Sequence, residues 1–496
     1  MASAAAKVEA TYQVPFLAHA ALEPMNCTVH VRKDGCEVWV GSQVIARAQA
    51  AAAKTTGLPL DKVVVHNHLI GGGFGRRLEI DGVTRAVQIA MHVDGPVKVV
   101  WTREDIQHDM SRPYFLDRMS AGLDGKGLPI AWNHRFAGSS ILARFLPPAF
   151  NNGLDPDTTD GAINLVYTLP NMHVEYAQVE PPGIPTAFWR SVGPSHNVFV
   201  TESFMDELAA AAKQDAVAYR RALLDNAPRA RAVLELAAIK AGWGKPLPQR
   251  AGRGVSLQSV FGTYMAQVAE VEVSKDGEVR VRRVVCAVDC GVVVNPDTVR
   301  AQIEGAIIFG ITAALHGEIT LKNGRVEQTN FDTYQMLRIN EAPAIEVHII
   351  QSSAPPGSQR SRWRPRGRSR WRGLTNGKRS DSRRRRNERS AFSPLSTCRR
   401  LPLISLHPSR VRLGSNPQGR FEIGLRGNTC QRATLETKIC GQRLSTARAA
   451  NEPRKRRRDL ADRRLLPQAA GMSRYSVAEE ILPGRAELRT SLLMHS

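Results

Sequence analysis

Three stretches of the chain carry residue types able to do chemistry. Gly71-Gly72-Gly73-Phe74-Gly75-Arg76-Arg77 sets three glycines in a row, so no side chain separates the backbone from whatever lies above it. Amides in such a loop can converge on an anion or a flat polar group, although a tight turn would use the same glycines. The run matches neither G-x-x-x-x-G-K-[ST] nor the spaced G-x-G-x-x-G, so neither nucleotide-binding motif applies. Gln43, in Gly41-Ser42-Gln43, offers an amide with both donor and acceptor; a solvated turn residue reads the same way. In Ala187-Phe188-Trp189-Arg190-Ser191-Val192-Gly193, Arg190 can stabilise developing negative charge and Trp189 can stack on a flat ring. An ordinary arginine beside a core tryptophan fits that spacing equally well. Glu202, Asp206 and Glu207 offer paired carboxylates, but their helical placement favours structural salt bridges.

The elements that must position these residues follow from periodicity. Lys62 to Ile70 alternates like a buried strand, and Asp81 to Val93 has helical spacing, so the glycine run joins a strand to a helix. Glu37–Val40 reads as a strand ahead of Gln43, and Val44 to Thr56 as a helix stopped by Gly57. Val97–Trp101 is a further strand, and Ser120 to Phe136 reads as strand and turn around Asp124-Gly125. Asn197 to Lys213 predicts an amphipathic helix, with a second over Asp215 to Leu224. Asn226–Pro248 holds one more helix and a Pro/Gly-rich link. Tyr264–Val273 and Glu278–Val288 pair around Asp276-Gly277, a strong hairpin signal. Asp297–Leu315 is helical, with Asn295 before Pro296 as its N-cap. The pattern predicts an α+β fold of two related lobes, 1–228 and 229–357, with mixed sheets and packed helices.

Charge separates a third segment. Residues 1–357 hold 34 Lys+Arg against 36 Asp+Glu, a net of −2, whereas residues 358–496 hold 34 against 10, a net of +24. The basic balance of the whole chain therefore says nothing about the body. The last segment has 31 Arg and 3 Lys, scattered prolines and no apolar period, which predicts a disordered basic tail. Such arginine excess is also what GC-rich DNA gives when read out of frame. The seven cysteines show no C-x-x-C pair and no ligand spacing, so neither a metal site nor an iron–sulfur cluster is expected in this chain. Cys286 and Cys290 read as buried apolar cysteines. No uninterrupted run of 18 apolar residues and no secretory signal is visible, so neither a membrane helix nor export is expected from the chain as written.

The glycine run, together with Leu22-Glu23-Pro24-Met25-Asn26, Gly41-Ser42-Gln43 and Trp101-Thr102-Arg103-Glu104-Asp105, resembles the molybdopterin-binding subunits of the xanthine dehydrogenase and aldehyde oxidase family. The nearest branch is the isoquinoline 1-oxidoreductase β subunits, and the likeness runs from about Ala10 to about Gly357. The resemblance implies a pterin dithiolene carrying molybdenum, with no protein metal ligand. It implies Gln43 and Arg190 as catalytic groups beside the metal, and Gly72, Gly73, Phe74, Gly75 and Gln302 as cofactor contacts. Gln302 lies in Gln302-Ile303-Glu304-Gly305, after Asp289-x-Gly291 and Asn295-Pro296; by pattern alone it is a polar residue on a buried helix. Asn330-Phe331-Asp332 and Tyr334 also fit the branch, as structure. The cofactor is expected as molybdopterin, with its cytosine dinucleotide form a possibility. The expected partner is a small iron–sulfur subunit with two [2Fe–2S] clusters; the substrate is an N-heteroaromatic or an aldehyde, and nucleic acid is disfavoured. The electron acceptor stays open, as does the compartment: cytoplasmic as written, with the periplasm open to a full-length relative.

Two departures qualify this expectation. The family's E-M-G-Q-G pterin cradle lies upstream of the pattern matched here. After Pro355-Pro356-Gly357 the family continues into a turn carrying Glu-Pro, and that glutamate is its general base. This chain reads Ser358-Gln359-Arg360-Ser361-Arg362-Trp363-Arg364 instead. A frame change near Gly357 would account for both the lost base and the arginine-rich sequence after it. The expected protein is a fragment of a molybdenum hydroxylase large subunit, inactive as written. The alternative is a remnant that binds a partner or nucleic acid through its basic tail.

Overall fold

The computed structural model describes residues 1–357 except Ala2, His108, Asn151 and Asn152, and beyond them only a pairing of Gly414–Ser415 with Phe421–Glu422. The expected tail and the proposed frame change near Gly357 lie outside the described residues.

The chain opens with β1 (Ala6–Val14), β2 (Asn26–Val31), β3 (Cys36–Val40), α1 (Ile45–Thr56) and β4 (Val63–Asn67). After the glycine run come α2 (Asp81–Ala90), β5 (Val97–Val100), β6 (Phe115–Leu123) and β7 (Pro129–Gly138). Two short helices follow, α3 (Ile141–Phe145) and α4 (Pro156–Thr159), then β8 (Met172–Gln178). Three helices come next: α5 (Pro194–Ala211), α6 (Ala216–Ala222) and α7 (Pro228–Ala241). The rest is β9 (Ala251–Val260), β10 (Thr263–Val273), β11 (Val279–Asp289), α8 (Pro296–Leu315), the two-residue strands β12 (Leu321–Lys322) and β13 (Arg325–Val326), and β14 (Ala344–Ile349).

Three four-stranded sheets, each mixed, organise these elements. The order β4-β3-β2-β5 makes a small sheet in which β3 and β4 run parallel and the other pairs antiparallel. Its strands alternate, sending Cys27, Val29, Cys36, Val38, Val40 and Val63 against Ala48, Ala52, Val83 and Val87 of α1 and α2. Gly57 closes α1 in the left-handed conformation at φ 78°, as the sequence predicts. The expected strand before the glycines is shorter than its apolar run. It spans Val63–Asn67 at the edge of this sheet, and Leu69 beyond it is 99% exposed. Lying at the edge with one neighbour, β4 has less to bury itself against than a central strand.

The second sheet, β1-β6-β7-β8, and the third, β14-β11-β10-β9, flank α5 and α7. In β11, Val285 and Ala287 face α7 while Val284, Cys286 and Val288 face Ile303, Ile307 and Ile311 of α8. That period of two explains an apolar strand with helices on both sides. The hairpin around Asp276-Gly277 forms as expected, with Gly277 at φ 85°. Asn295 caps α8 by accepting from the amides of Asp297 and Thr298 at 2.9 and 3.1 Å. By length and composition α8 is the one described helix apolar enough to cross a bilayer, although its charged Arg300 and Glu304 interrupt the run; one side of it is buried on the third sheet.

One expectation is corrected. The helix over Asn197 to Lys213 is not amphipathic: α5 buries Pro194 through Met205 without interruption. It sits between β1 and β6 on one side and β9 and α6 on the other, so little of its surface faces solvent. The largest apolar cluster joins Tyr12, Phe115, Trp132 and Phe204 to Leu234, Val255, Val268 and Val285. The core therefore runs across the expected lobe boundary at residue 228.

Candidate cofactor site

The glycine run is folded over a buried arginine. Arg77 donates through Nε to the Gly72 carbonyl at 2.9 Å, through Nη1 to the Gly41 carbonyl at 3.3 Å, and through Nη2 to the Glu23 carbonyl and carboxylate at 3.1 and 2.8 Å. One fork thus gathers three of the motifs read from the sequence. The Gly71 amide donates to the same Glu23 carboxylate at 2.7 Å. Burial works to raise the Glu23 carboxyl, but the Gly71 amide, Asn26 and Arg77 outweigh it and hold it below the usual range. Arg76 pairs bidentately with Asp81 at 2.8 Å and also with Asp109, locking the loop's exit onto α2.

The glycines serve contact as well as conformation. A Cβ on Gly73 would lie 2.5 Å from Gln43 Oε1, and one on Gly75 would overlap the Phe188 carbonyl. Gly75, at φ 101°, donates its amide to Gln43 Oε1 at 3.3 Å. Phe74 between them adopts φ 50°, a left-handed conformation uncommon outside glycine. Not every loop amide is open to a ligand, since Gly71 and Gly75 are satisfied internally. The amides of Gly72, Gly73 and Phe74 have no partner among the described residues.

The second stretch lies against the first. His19 Nε2 meets the Phe188 carbonyl at 2.8 Å, and Trp189 Nε1 donates to the Ala18 carbonyl at 3.2 Å. Trp189 stacks on Phe309 of α8 at 4.5 Å, and Phe309 stacks on Phe74 at 4.6 Å. Trp189 is 3% exposed, so its rings are closed by packing and present no face for a substrate, contrary to the sequence reading. Phe74 is half-buried and remains at the surface of the column. Arg190 donates through Nη2 to the Gln302 carbonyl at 3.0 Å and has no carboxylate partner among the described residues. Burial draws its pKa down. The Gln302 side chain is exposed, so the contact here is made by its backbone. Ser191 and Val192 follow with φ 73° and 58°, two left-handed non-glycine residues in succession, each costing about 1–3 kcal/mol.

The structure thus brings Gln43, Gly73, Phe74 and Gly75 to one side of Phe309 and Trp189 and Arg190 to the other. Sequence reading missed His19, Arg77 as a clamp, and Phe309. Phe309 lies in an apolar run that pattern alone assigns to the core. The Asn330-Phe331 stretch meets the Trp101–Asp105 motif: Asn330 Nδ2 donates to Glu104 at 3.2 Å, and Arg103 lies 4.8 Å over the Phe331 ring. The carboxylates of α5 are structural. Glu202 accepts from Tyr167, from Arg220 Nε at 3.0 Å and from the Leu257 amide at 2.8 Å, while Asp206 takes Arg220 Nη1. Among the described residues no group of three His, Cys, Asp or Glu side chains is arranged to hold a metal. Cys286 is buried and Cys290 half-buried. The donor set is free backbone N–H groups, the Gln43 amide and the Arg190 guanidinium. It fits a flat group rich in acceptor oxygen and sulfur rather than a bare cation.

Two family models, both described as a molybdopterin cofactor-binding domain, match residues 1–224 and 201–343. The chain belongs to the xanthine dehydrogenase family of molybdopterin-binding subunits. It is 33% identical over 354 residues to the isoquinoline 1-oxidoreductase β subunit of Brevundimonas diminuta, a match covering 69% of this chain and 44% of that one. It is 28% identical to a nicotinate dehydrogenase subunit of Pseudomonas putida, over 73% of this chain and 32% of that one. The chain therefore spans less than half the length of these relatives. Its fold resembles that of quinoline 2-oxidoreductase from Pseudomonas putida 86, with a TM-score of 0.63 at 13% identity, covering 72% of this chain and 71% of that one.

Proposed function

We propose that this chain is the cofactor-binding portion of a molybdenum hydroxylase large subunit acting on N-heteroaromatics or aldehydes. The observation that carries the reading is the joining of Gln43, Phe74–Gly75 and Arg190 through Phe309 and the Gln302 carbonyl. Molybdopterin, in the plain or the cytosine dinucleotide form, would be held by the free amides of Gly72, Gly73 and Phe74 and by the Gln43 amide. When bound it supplies the oxygen transfer and accepts the substrate's electrons. Gln43, its carbonyl already committed to Gly75, would keep its Nε2 donor for an acceptor atom of the cofactor. Phe74 excludes water on one side, which strengthens each polar contact inside. Arg190, with no competing carboxylate, faces negative charge developing on a substrate heteroatom or carbonyl oxygen.

Oxygen would come from water, and electrons would leave through a separate subunit with [2Fe–2S] clusters. The sequence directly after Gly357 carries no Glu-Pro to supply the general base, so the chain as written binds cofactor but does not turn over. Loss of a general base typically lowers the rate by about 10²–10⁴. The test is expression in a host that makes molybdenum cofactor, followed by metal and pterin analysis and assay with an iron–sulfur partner. Stoichiometric molybdenum with no steady turnover on heteroaromatics or aldehydes is expected. A chain without molybdenum would overturn the cofactor assignment, and measurable turnover would overturn the inactivity.

A further inference from the structure

Arg112 is 5% exposed and has no part in the chemistry proposed above. Its Nη2 donates to the Pro15 carbonyl at 2.9 Å, Nη1 reaches the Ser195 carbonyl at 3.5 Å, and Nε is buried without a partner. The guanidinium carbon lies 5.4 Å from the Trp189 ring centroid. Its backbone amide donates to the Leu17 carbonyl at 2.8 Å. No carboxylate among the described residues pairs with it; burial pushes its pKa down to about 10, opposed only by Tyr334. A cation held in the core without an anion is costly, so its surroundings must make use of it.

One prong of the fork is anchored on Pro15, and the rest of the guanidinium lies between the two ends of one strained segment. Arg112 grips Trp189 before Arg190 and the Ser195 carbonyl after Val192. Between these anchors stand Ser191 and Val192, both left-handed. Inside the segment the Val192 amide donates to the Trp189 carbonyl at 2.8 Å, and Ser195 Oγ to the Val192 carbonyl at 2.6 Å. We propose that Arg112 is a positioning residue for Arg190: by bracing Trp189 and Ser195 it keeps the left-handed pair in place and holds Arg190 at the Gln302 carbonyl. Its significance for catalysis rests on the role given to Arg190 above. A lysine would keep the charge near the indole but lose the fork that reaches two carbonyls.

The test uses the full 496-residue chain as Arg112→Met and Arg112→Lys. Hydrogen exchange by mass spectrometry should show about tenfold faster exchange in peptides covering residues 187–197 of Arg112→Met, with the rest of the body changed by less than about twofold. Arg112→Lys should fall between that variant and the unmodified chain. The rate at which phenylglyoxal modifies Arg190 should rise in the same order. Unchanged exchange over 187–197 overturns the proposal, and so does a rise of equal size throughout the body, which would mark a contribution to global stability alone. If Arg112→Met does not fold, Arg112→Lys decides: local loosening with faster Arg190 modification supports the proposal, and no difference from the unmodified chain overturns it. Molybdenum content is measured on the same samples. An unmodified chain without molybdenum defeats the cofactor reading while leaving the exchange comparison valid.

Discussion

Gly75 shows how a single missing side chain can carry a site. Its φ of 101° and its contact with the Phe188 carbonyl leave no room for a methyl group. Gly75→Ala should lower stability by at least about 2 kcal/mol, read as a shift in the urea midpoint. Gln43→Leu should behave differently. It removes one long hydrogen bond of a half-buried residue, so stability should change by less than about 1 kcal/mol, while molybdenum retained on purification should fall sharply. Retention equal to the unmodified chain would remove Gln43 from the site. These residues were legible because glycine in a run and an amide after a strand are unusual locally. Arg77, His19 and Phe309 were not, since each acquires its role from partners far along the chain. Trp189 was legible as important but was misjudged. Nothing in its neighbours reveals that Phe309 and Arg112 would enclose it.

At the scale of elements, helix α5 is held by a buried ion triad rather than by an amphipathic face. Arg220 lies between Glu202 and Asp206, all three with little or no exposure, and Tyr167 and the Leu257 amide complete the Glu202 shell. Removing one member of such a group leaves the others charged and uncompensated. Arg220→Leu should therefore cost about 3–5 kcal/mol in urea unfolding. Loss of under about 1 kcal/mol would mean that the carboxylates find other partners. The N-cap of α8 is a milder case, and Asn295→Ala should cost about 1 kcal/mol by the same measurement. Most elements could be read because period, caps and turn residues are local signals. The exceptions are informative. α5 reads as amphipathic because Glu202 and Asp206, at i and i+4, look like a wet face, and the crossing of Arg220 from α6 makes that face a dry one.

Across the whole molecule, two buried histidines contribute to the response to acid. Burial, with Arg112 and His134 adding to it, holds His196 well below the usual histidine range, and burial likewise pulls His19 down. Below about pH 6.5 the unfolded chain binds protons that the folded one refuses, so stability is full above that pH and is lost as the pH falls through it. Asp157, pushed up to about 6 by burial and by Asp155 and Asp160, acts in the opposite sense, adding stability as pH falls from about 6. Comparison with His196→Phe isolates the histidine term: as pH falls below about 6.5 the unmodified chain should lose more stability, with a slope that steepens toward a limit of about 1.4 kcal/mol per pH unit. Equal slopes would mean that His196 is protonated in the fold. At the genetic level, sequencing past the codon for Gly357 in the shifted frame should reveal Glu-Pro within a few codons; early stop codons there would defeat the frame-change account. The aromatic column has a consequence for biosynthesis. Phe74 rests on Phe309, roughly 230 residues further along, so at about 5–20 residues per second the glycine loop waits about 10–50 s on the ribosome for its roof. A cofactor meeting the nascent loop before then would find half a binding surface, so loading waits until α8 has been made and packed against the loop.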